Sequence, residues 1–412
     1  MKLFAKLIDK LTMSGISMGK VKTSAPGKCI LFGEHAVVYG QPAIAIAIEQ
    51  RMNIEISDDS EERFWRIDGK EFDGKKHPHV QALKDRLWPD SLGAPPLSIK
   101  IQGDIPAASG LGSSAALSVA ACAALRAARG RWIKKYGEVS NPDDWAEGFH
   151  TLISDTDAYA LCDQVRDAGR RKGSEGLGDF HVVNEESVDV EECSIIGHSI
   201  EAVAQGGRAS PLDATTCSYG SVILLSDKLE PGVDWIGTRK LESPDGTFSW
   251  EIHSLDVRNS EDIYIVIGHS EEYSSTASQV QYVSDLLKEN PERMQEIEAI
   301  GHVTRRGVDA LIKGDFVAVG HAMKENQLLL SMLGVSSKKL DDLIDAANPS
   351  SLGAKLTGAG GGGCMIALTR NPKQTSEAIE LAGGKTWISK FNNAGLSVDA
   401  VDNLPFWNLP GK

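Results

Sequence analysis

Three glycine-rich segments of this 412-residue chain hold the side chains best placed to do chemistry. The most informative is 106–116, Pro-Ala-Ala-Ser-Gly-Leu-Gly-Ser-Ser-Ala-Ala, which follows a short apolar segment at 97–101 and precedes a helix-favouring run at 114–128. A glycine-rich turn between a strand and a helix directs several backbone N–H groups at one point, where the helix dipole also favours negative charge. The pattern therefore predicts a phosphate-binding turn.

The residue types within this turn suit an anion. Gly110 and Gly112 allow close backbone approach, and Ser113 and Ser114 offer hydroxyls to phosphate oxygens or to a metal bound on them. The predicted binding segment comprises Pro106, Ala107, Ala108, Ser109, Gly110, Leu111, Gly112, Ser113 and Ser114. A flexible loop that caps the helix is the alternative, and the two other glycine-rich segments disfavour it.

The turn matches neither of the commoner nucleotide-binding loops. It contains no lysine, which a P-loop requires. A dinucleotide fingerprint would place its third glycine at Ala115, a tolerated replacement, but the acidic residue expected about 20 positions later is missing from the basic segment at 131–135. These differences weaken the dinucleotide interpretation and leave it open.

The second segment, 24–43, places Lys28 at one end of an apolar strand pattern and the dipeptide Glu34-His35 at the other. Such clustered polar residues beside an apolar strand favour a cleft over a surface hairpin. The third segment contains four consecutive glycines, 360–363, before another strand pattern. Because ordering four glycines costs much backbone entropy, they indicate a place where a backbone or a phosphate approaches too closely for a Cβ, rather than flexible filler.

The elements that must position these residues follow from hydrophobic patterning. Strands are predicted at 21–24, 28–32, 43–48, 53–57 and 263–267. Helical patterns lie at 275–289, 291–312, 315–332 and 337–347. Proline-glycine turns place a boundary between two α/β lobes near 225–260.

Taken in order, the three segments resemble the galacto-, homoserine, mevalonate and phosphomevalonate (GHMP) kinase superfamily. The matching sequences are Ala-Pro-Gly-Lys at 25–28, Gly-Leu-Gly-Ser-Ser-Ala at 110–115 and Gly-Ala-Gly-Gly-Gly at 358–362. Within the superfamily the similarity is closest to the mevalonate kinase branch, through the segments at 33–40, 207–215 and 326–336. The resemblance covers roughly residues 21–125 and 195–390.

The resemblance implies a two-lobed α+β GHMP kinase fold, with a ribosomal-protein-S5-domain-2-like N-terminal lobe and a ferredoxin-like C-terminal lobe. The implied domains are an N-terminal extension at 1–20, a first domain at 21–258 and a second domain at 259–412. An insertion at about 129–192 is longer than most relatives carry, and an oligomer contact or a solvated segment is favoured over a lid.

The implied activity is ATP-dependent phosphorylation of mevalonate, with ATP and mevalonate as partners and Mg²⁺ as the cofactor. Phosphomevalonate kinase, or another small-molecule kinase of the superfamily, is the alternative. The joint presence of Lys28, Ser114 and Asp213 disfavours a non-catalytic ligand sensor. The resemblance assigns Mg²⁺ ligation to Ser114 and Glu201, and it assigns the substrate's proton to Asp213 beside Lys28.

The same resemblance places the substrate among Lys28, Glu34, His35 and Asp213. Two departures from the family pattern stand out. The interval from Glu201 to Asp213 is one residue longer than usual, which the doubled glycine at 206–207 would absorb as a bulge; otherwise the glutamate assignment is off. In addition, Ala277 stands where the family usually has a lysine near the substrate.

The composition of the chain limits the kinds of partner that it is expected to bind. With 43 basic and 57 acidic side chains the net charge is −14, which disfavours a nucleic-acid partner. The six cysteines form no Cys-x-x-Cys pair, so a reduced, cytoplasmic setting is favoured over a zinc site. Apolar runs are too short for a membrane span, and the amphipathic pattern at 1–20 favours a packing extension or a later start codon over a membrane-surface helix. No stable membrane association is expected, and a homodimer stays open.

Overall fold

Two β-sheets, one in each half of the chain, organise the fold. The computed structural model describes residues 19–58, 64–88, 96–106, 109–129, 131–133, 180–182, 184–204, 209–243, 246–258, 260 and 262–402. The strands are β1 (Lys20–Phe32), β2 (Ala43–Asp58), β3 (Arg66–Ile67), β4 (Lys70–Glu71), β5 (Leu97–Gly103), β6 (Arg131–Ile133), β7 (Phe180–Val182), β8 (Val222–Ser226), β9 (Asp234–Ser243), β10 (Gly246–Leu255), β11 (Tyr264–His269), β12 (Gly353–Thr357), β13 (Cys364–Thr369), β14 (Lys385–Lys390) and β15 (Ser397–Asp402).

Nine α-helices occur among these described residues. Their bounds are α1 (Pro78–Leu87), α2 (Ser113–Arg129), α3 (Val190–Ala204), α4 (Leu212–Tyr219), α5 (Thr276–Glu289), α6 (Met294–Lys313), α7 (Phe316–Met332), α8 (Lys338–Ala347) and α9 (Pro372–Leu381). Mixed sheets and helices in two domains confirm the predicted α+β class. None of the helices in the described ranges combines the length and the apolar composition needed to cross a membrane.

The first sheet is centred on β2, which pairs with β1 along one side and with β5 and β8 along the other. The sequence pattern predicts two separate strands at 21–24 and 28–32, yet these residues form the single strand β1. The reason is local: the β1–β2 register shifts between Pro26 and Lys28, so the proline-glycine pair makes a bulge instead of a turn.

Helices α2 and α4 pack against one face of this sheet, and α3 packs on both of them. The alanine-rich helix α2 is almost wholly buried, because its small side chains let it pack closely against β1, β2 and α3. The hydroxyl of Thr23 on β1 donates to the Ala120 carbonyl of α2 at 2.7 Å, which pins the helix to the strand. This packing places the beginning of α2, and the phosphate turn before it, beside Lys28 in the second half of β1.

The second sheet has the antiparallel order β12-β13-β11-β14, and helices α7, α8 and α9 pack against it. The four helical patterns predicted for this half correspond to α5, α6, α7 and α8. The predicted start of the second of these differs, since Pro291 opens a short 3₁₀ turn at Pro291–Arg293 before α6 begins.

The last strand departs from the predicted domain bounds. β15 lies within 259–412 but pairs antiparallel with β1, so it completes the sheet of the first domain. Lys20, predicted to end the extension, already pairs in β1, whereas residues 1–18 lie outside the described part of the chain. Most of the predicted insertion, 134–179, also lies outside it; β6 pairs with β7 on either side of that gap.

Candidate active site

A cavity of about 640 Å³ lies between the two domains. Residues from all three glycine-rich segments line it. The first domain contributes the second half of β1, the turn before α2 and the beginning of α4 to its wall. The second domain contributes the beginning of α5 and the glycine-rich turn after β12. Its volume is in the range of small-molecule sites.

The phosphate turn faces this cavity with Ser109, Gly110, Gly112, Ser113 and Ser114. Both glycines have positive φ angles, 79° and 74°, which residues with a Cβ rarely adopt. Helix α2 begins at Ser113, so its unpaired N–H groups open toward the cavity.

The remaining residues of the predicted segment support the turn. The Ser109 hydroxyl donates to the Pro106 carbonyl at 2.7 Å. Leu111 is buried, and its carbonyl accepts from the Lys28 backbone N–H at 2.9 Å. Ala107 and Ala108 lie outside the described residues. Gly27 is required by the same contact, because a Cβ there would lie 2.8 Å from the Leu111 oxygen.

Lys28 joins the phosphate turn to Asp213. Its buried ammonium donates to the Gly110 carbonyl at 2.9 Å and lies 3.1 Å from the Asp213 carboxylate in the first turn of α4. The Asp213 side chain keeps 34% of its surface exposed to the cavity. Desolvation raises the pKa of Asp213, and the Lys28 ammonium opposes that rise. The carboxylate is thus available to a ligand and held beside a cation.

Glu201 and Ser114 are the two oxygen donors that the family resemblance assigns to a metal, and both line the cavity. The Glu201 carboxylate also raises the pKa of Asp213 through charge repulsion. One residue was not predicted here: His79 on α1, whose Nε2 lies 3.3 Å from Glu201 Oε1. The doubled glycine at 206–207 lies outside the described residues, so the longer spacing stays without a structural account.

Glu34 and His35 follow β1 at the other side of the cavity. His35 Nε2 donates to the Ala359 carbonyl at 2.9 Å, and burial lowers the pKa of the imidazole, so the ring is neutral at pH 7. Glu34 differs from expectation. Although it borders the cavity, its carboxylate is buried in an ion pair with Lys355 and accepts from the Asn326 amide at 3.0 Å.

The four consecutive glycines lie against the phosphate turn. A Cβ on Gly358 would lie 3.2 Å from the Gly110 Cα, and one on Gly363 would lie 3.0 Å from the Ser109 oxygen. Another backbone therefore approaches this segment, as the glycine run predicts. The second domain supports the phosphate turn directly.

Helix α5 also begins at the cavity, with Ser274, Ser275 and Thr276 on the wall. Ser275 caps the helix by accepting from the Ser278 N–H at 3.4 Å. Ala277 follows, so the basic residue usual in the family is absent at this position.

Comparisons with known proteins agree with this geometry. Two family models match: the GHMP kinases N terminal domain over residues 79–141 and GHMP kinases C terminal over residues 308–387. Mevalonate kinase of Thermococcus onnurineus is 29% identical over 93% of this chain and 99% of its own. The chain belongs to the GHMP kinases.

Solved structures show the same GHMP kinase fold. Methanococcus jannaschii mevalonate kinase superposes with a TM-score of 0.61 at 23% identity, covering 90% of this chain and 98% of that one. The L. major mevalonate kinase in complex with R-mevalonate gives 0.60 at 19% identity, covering 90% and 97%. These kinases therefore share the fold of both domains that border the cavity.

Proposed function

We infer that this GHMP kinase transfers the γ-phosphoryl group of ATP to the primary hydroxyl of mevalonate, forming 5-phosphomevalonate. The observation that carries the proposal is the contact of one ammonium group, Lys28 Nζ, with both the phosphate turn and the Asp213 carboxylate. The identity of the substrate is inferred from the mevalonate kinase relatives, which align over nearly the whole chain.

In the proposed reaction, Asp213 accepts the proton of the substrate hydroxyl while the oxygen attacks the γ-phosphorus. The bond from the γ-phosphorus to the bridging oxygen breaks, and ADP leaves. Lys28 has two tasks in this scheme: it lowers the pKa of Asp213 and offsets negative charge on the transferring group. The backbone N–H groups at the start of α2 hold the phosphates.

The residues present fit a bound Mg²⁺. Ser114 and Glu201 offer a hydroxyl and a carboxylate on the cavity wall, the hard oxygen donors that Mg²⁺ prefers, and this metal usually takes few protein ligands beside substrate phosphates and water. A Mg²⁺ site of this kind does not require three protein side chains as ligands. Among the described residues, no group of three His, Cys, Asp or Glu side chains is placed to hold a metal ion. Bound Mg²⁺ would neutralise charge on the phosphates.

The charge of the cavity favours mevalonate over 5-phosphomevalonate as the acceptor. Among the described residues that line it, Lys28 is the single lysine or arginine, and its ammonium already contacts Gly110 and Asp213. A phosphorylated acceptor would bring further negative charge toward Asp213 and Glu201 without an additional cation on this wall.

A coupled assay of ADP release tests the proposal. The purified chain with MgATP is offered mevalonate, 5-phosphomevalonate, galactose, homoserine or no acceptor, and phosphorus NMR identifies the product. We expect rapid ADP release with mevalonate and with none of the other acceptors, and we expect a primary phosphate ester as the product. Faster turnover on 5-phosphomevalonate would replace this proposal with the phosphomevalonate kinase alternative. If ADP is released at the same rate with and without an acceptor, both kinase proposals are wrong.

A further inference from the structure

Lys355 is a fully buried lysine that the proposed reaction does not use. It lies on β12 of the second domain, and its ammonium forms an ion pair with the Glu34 carboxylate of the first domain. It also donates to the Leu356 carbonyl at 2.5 Å. Since Lys355 does not border the cavity, any effect on a substrate passes through Glu34.

Helix α7 supplies a second contact to the same carboxylate. The Asn326 amide donates to Glu34 at 3.0 Å, and both side chains are buried. The neighbouring Gln327 accepts from the Leu356 backbone N–H at 2.9 Å, which ties α7 to β12 beside Lys355. Both oxygens of the Glu34 carboxylate are therefore held by groups of the second domain.

The turn that contains Glu34 is strained. Gly33 has a φ of 93°, and a Cβ there would lie 2.5 Å from the Pro42 oxygen. His35 has a φ of 59°, a backbone conformation that residues other than glycine rarely adopt. Such a conformation persists only where surrounding contacts enforce it.

Three sets of contacts from the second domain could enforce it. They are the buried pairing of Glu34 with Lys355 and Asn326, the His35–Ala359 hydrogen bond, and the Thr357 hydroxyl, which accepts from the Ile30 N–H at 2.8 Å and donates to the Ile30 carbonyl at 3.0 Å. Of these, the first acts on the residue between the two positive φ angles and involves charges, whose unpairing inside a protein is costly.

We propose that Lys355 and Asn326 are positioning residues, which hold the Glu34 carboxylate so that the 33–35 turn presents His35 to the substrate cavity. Glu34 then acts as an anchor and not as a substrate ligand. The inference rests on the proposed function only for the identity of the substrate. Burial lowers the pKa of Lys355, and the Glu34 carboxylate counters that effect, so the charge of Lys355 depends on Glu34.

The test is a double-mutant cycle of Lys355→Met and Glu34→Gln. Lys338→Met is the matched control, because it removes an exposed lysine that pairs with Asp342 in the same domain. Melting temperature, amide hydrogen exchange of residues 33–40, and the KM values for mevalonate and ATP are measured on the full chain.

Lys355→Met should lower the melting temperature by roughly 5–10 °C, since it leaves a buried carboxylate unpaired. It should also speed exchange in 33–40 and raise KM for mevalonate about tenfold, with KM for ATP changed less than about twofold. The double variant has no buried charge at this point, and the amide at position 34 can still accept from Asn326, so stability should recover and KM should return to within about threefold of the parent.

Two results would overturn the inference. If the double variant keeps the full KM defect of Glu34→Gln while its stability recovers, Glu34 contacts the substrate itself. If Lys355→Met keeps the exchange and KM of the parent, Lys355 positions nothing. Should Lys355→Met fail to fold, the double variant still decides between anchor and ligand. The exchange and melting measurements need no turnover, so an error in the substrate would show separately, as a parent enzyme inactive on mevalonate.

Discussion

Lys28 Nζ lies 3.1 Å from the Asp213 carboxylate and at the same time donates to the backbone of the phosphate turn. The expected base and the expected phosphate site are therefore linked through one side chain. A displacement of Lys28 should disturb both the protonation of Asp213 and the charge balance at the phosphates.

Replacement of Asp213 by asparagine should lower kcat about 10²–10⁴-fold, since the amide cannot accept the substrate's proton. The side chain is nearly isosteric and the turn before α2 is untouched, so ATP binding should persist. Steady-state kinetics and titration with a fluorescent nucleotide measure the two quantities. Near-normal turnover would remove Asp213 from the mechanism.

Replacement of Gly112 by alanine should displace Lys28, because the new Cβ would lie 2.9 Å from the Lys28 Cγ. Gly69→Ala is a close control: its φ of 75° nearly equals the 74° of Gly112, yet a Cβ on Gly69 would meet no atom within 4 Å. Both changes carry the backbone penalty of about 1–2 kcal/mol. Only Gly112→Ala should also lower kcat, by about tenfold or more. Equal kcat values for the two variants would argue against the contact.

The pH dependence of kcat/KM should report the Asp213 carboxyl. Activity requires the ionised form, so it falls as pH falls through the pKa, which burial places above the usual value of about 4. Lys28→Met removes the cation that lowers this pKa, and the acidic limb should move to higher pH. Residual activity measured across pH in Lys28→Met, the parent and Lys338→Met checks the shift. An unmoved limb would show that another group titrates.

Replacement of Glu201 by glutamine should raise the Mg²⁺ concentration needed for half-maximal activity several-fold, since one anionic oxygen donor is lost. The exposed Glu298 on α6 supplies the control Glu298→Gln. Nucleotide binding with and without Mg²⁺ gives a second readout that needs no turnover. If the Mg²⁺ requirement stays at the parent value, a different carboxylate holds the metal.

Much of the site could be predicted because it depends on local patterns. The strand–turn–helix around Gly110 and Gly112 follows from residue types that are adjacent in sequence, and the structure places Lys28 and Asp213 together as the family pattern implies. The environment of Glu34 could not be predicted in this way. Its partners Lys355 and Asn326 come from a distant strand and helix, and only the packing of the two domains brings them to it.

A weak signal for one of these partners was present in the sequence. Lys355 interrupts an apolar strand just before the glycine run, and a lysine buried in a strand requires a counter-charge. No comparable signal identifies His79, because its contact with Glu201 depends on how α1 and α3 are placed by their packing against α2. The pairing of β15 with β1 could not be predicted either, because the hydrophobic pattern of a strand does not indicate which distant strand it pairs with.

That pairing has a consequence for how the protein is made. The first domain needs β15 to complete its sheet, but the ribosome delivers this strand only after the whole second domain. Until then the β1 edge presents unpaired backbone groups, the kind of surface that seeds aggregation. This edge therefore stays open while the intervening domain emerges, and the β1–β15 pair can form only after both ends of the described fold have been synthesised.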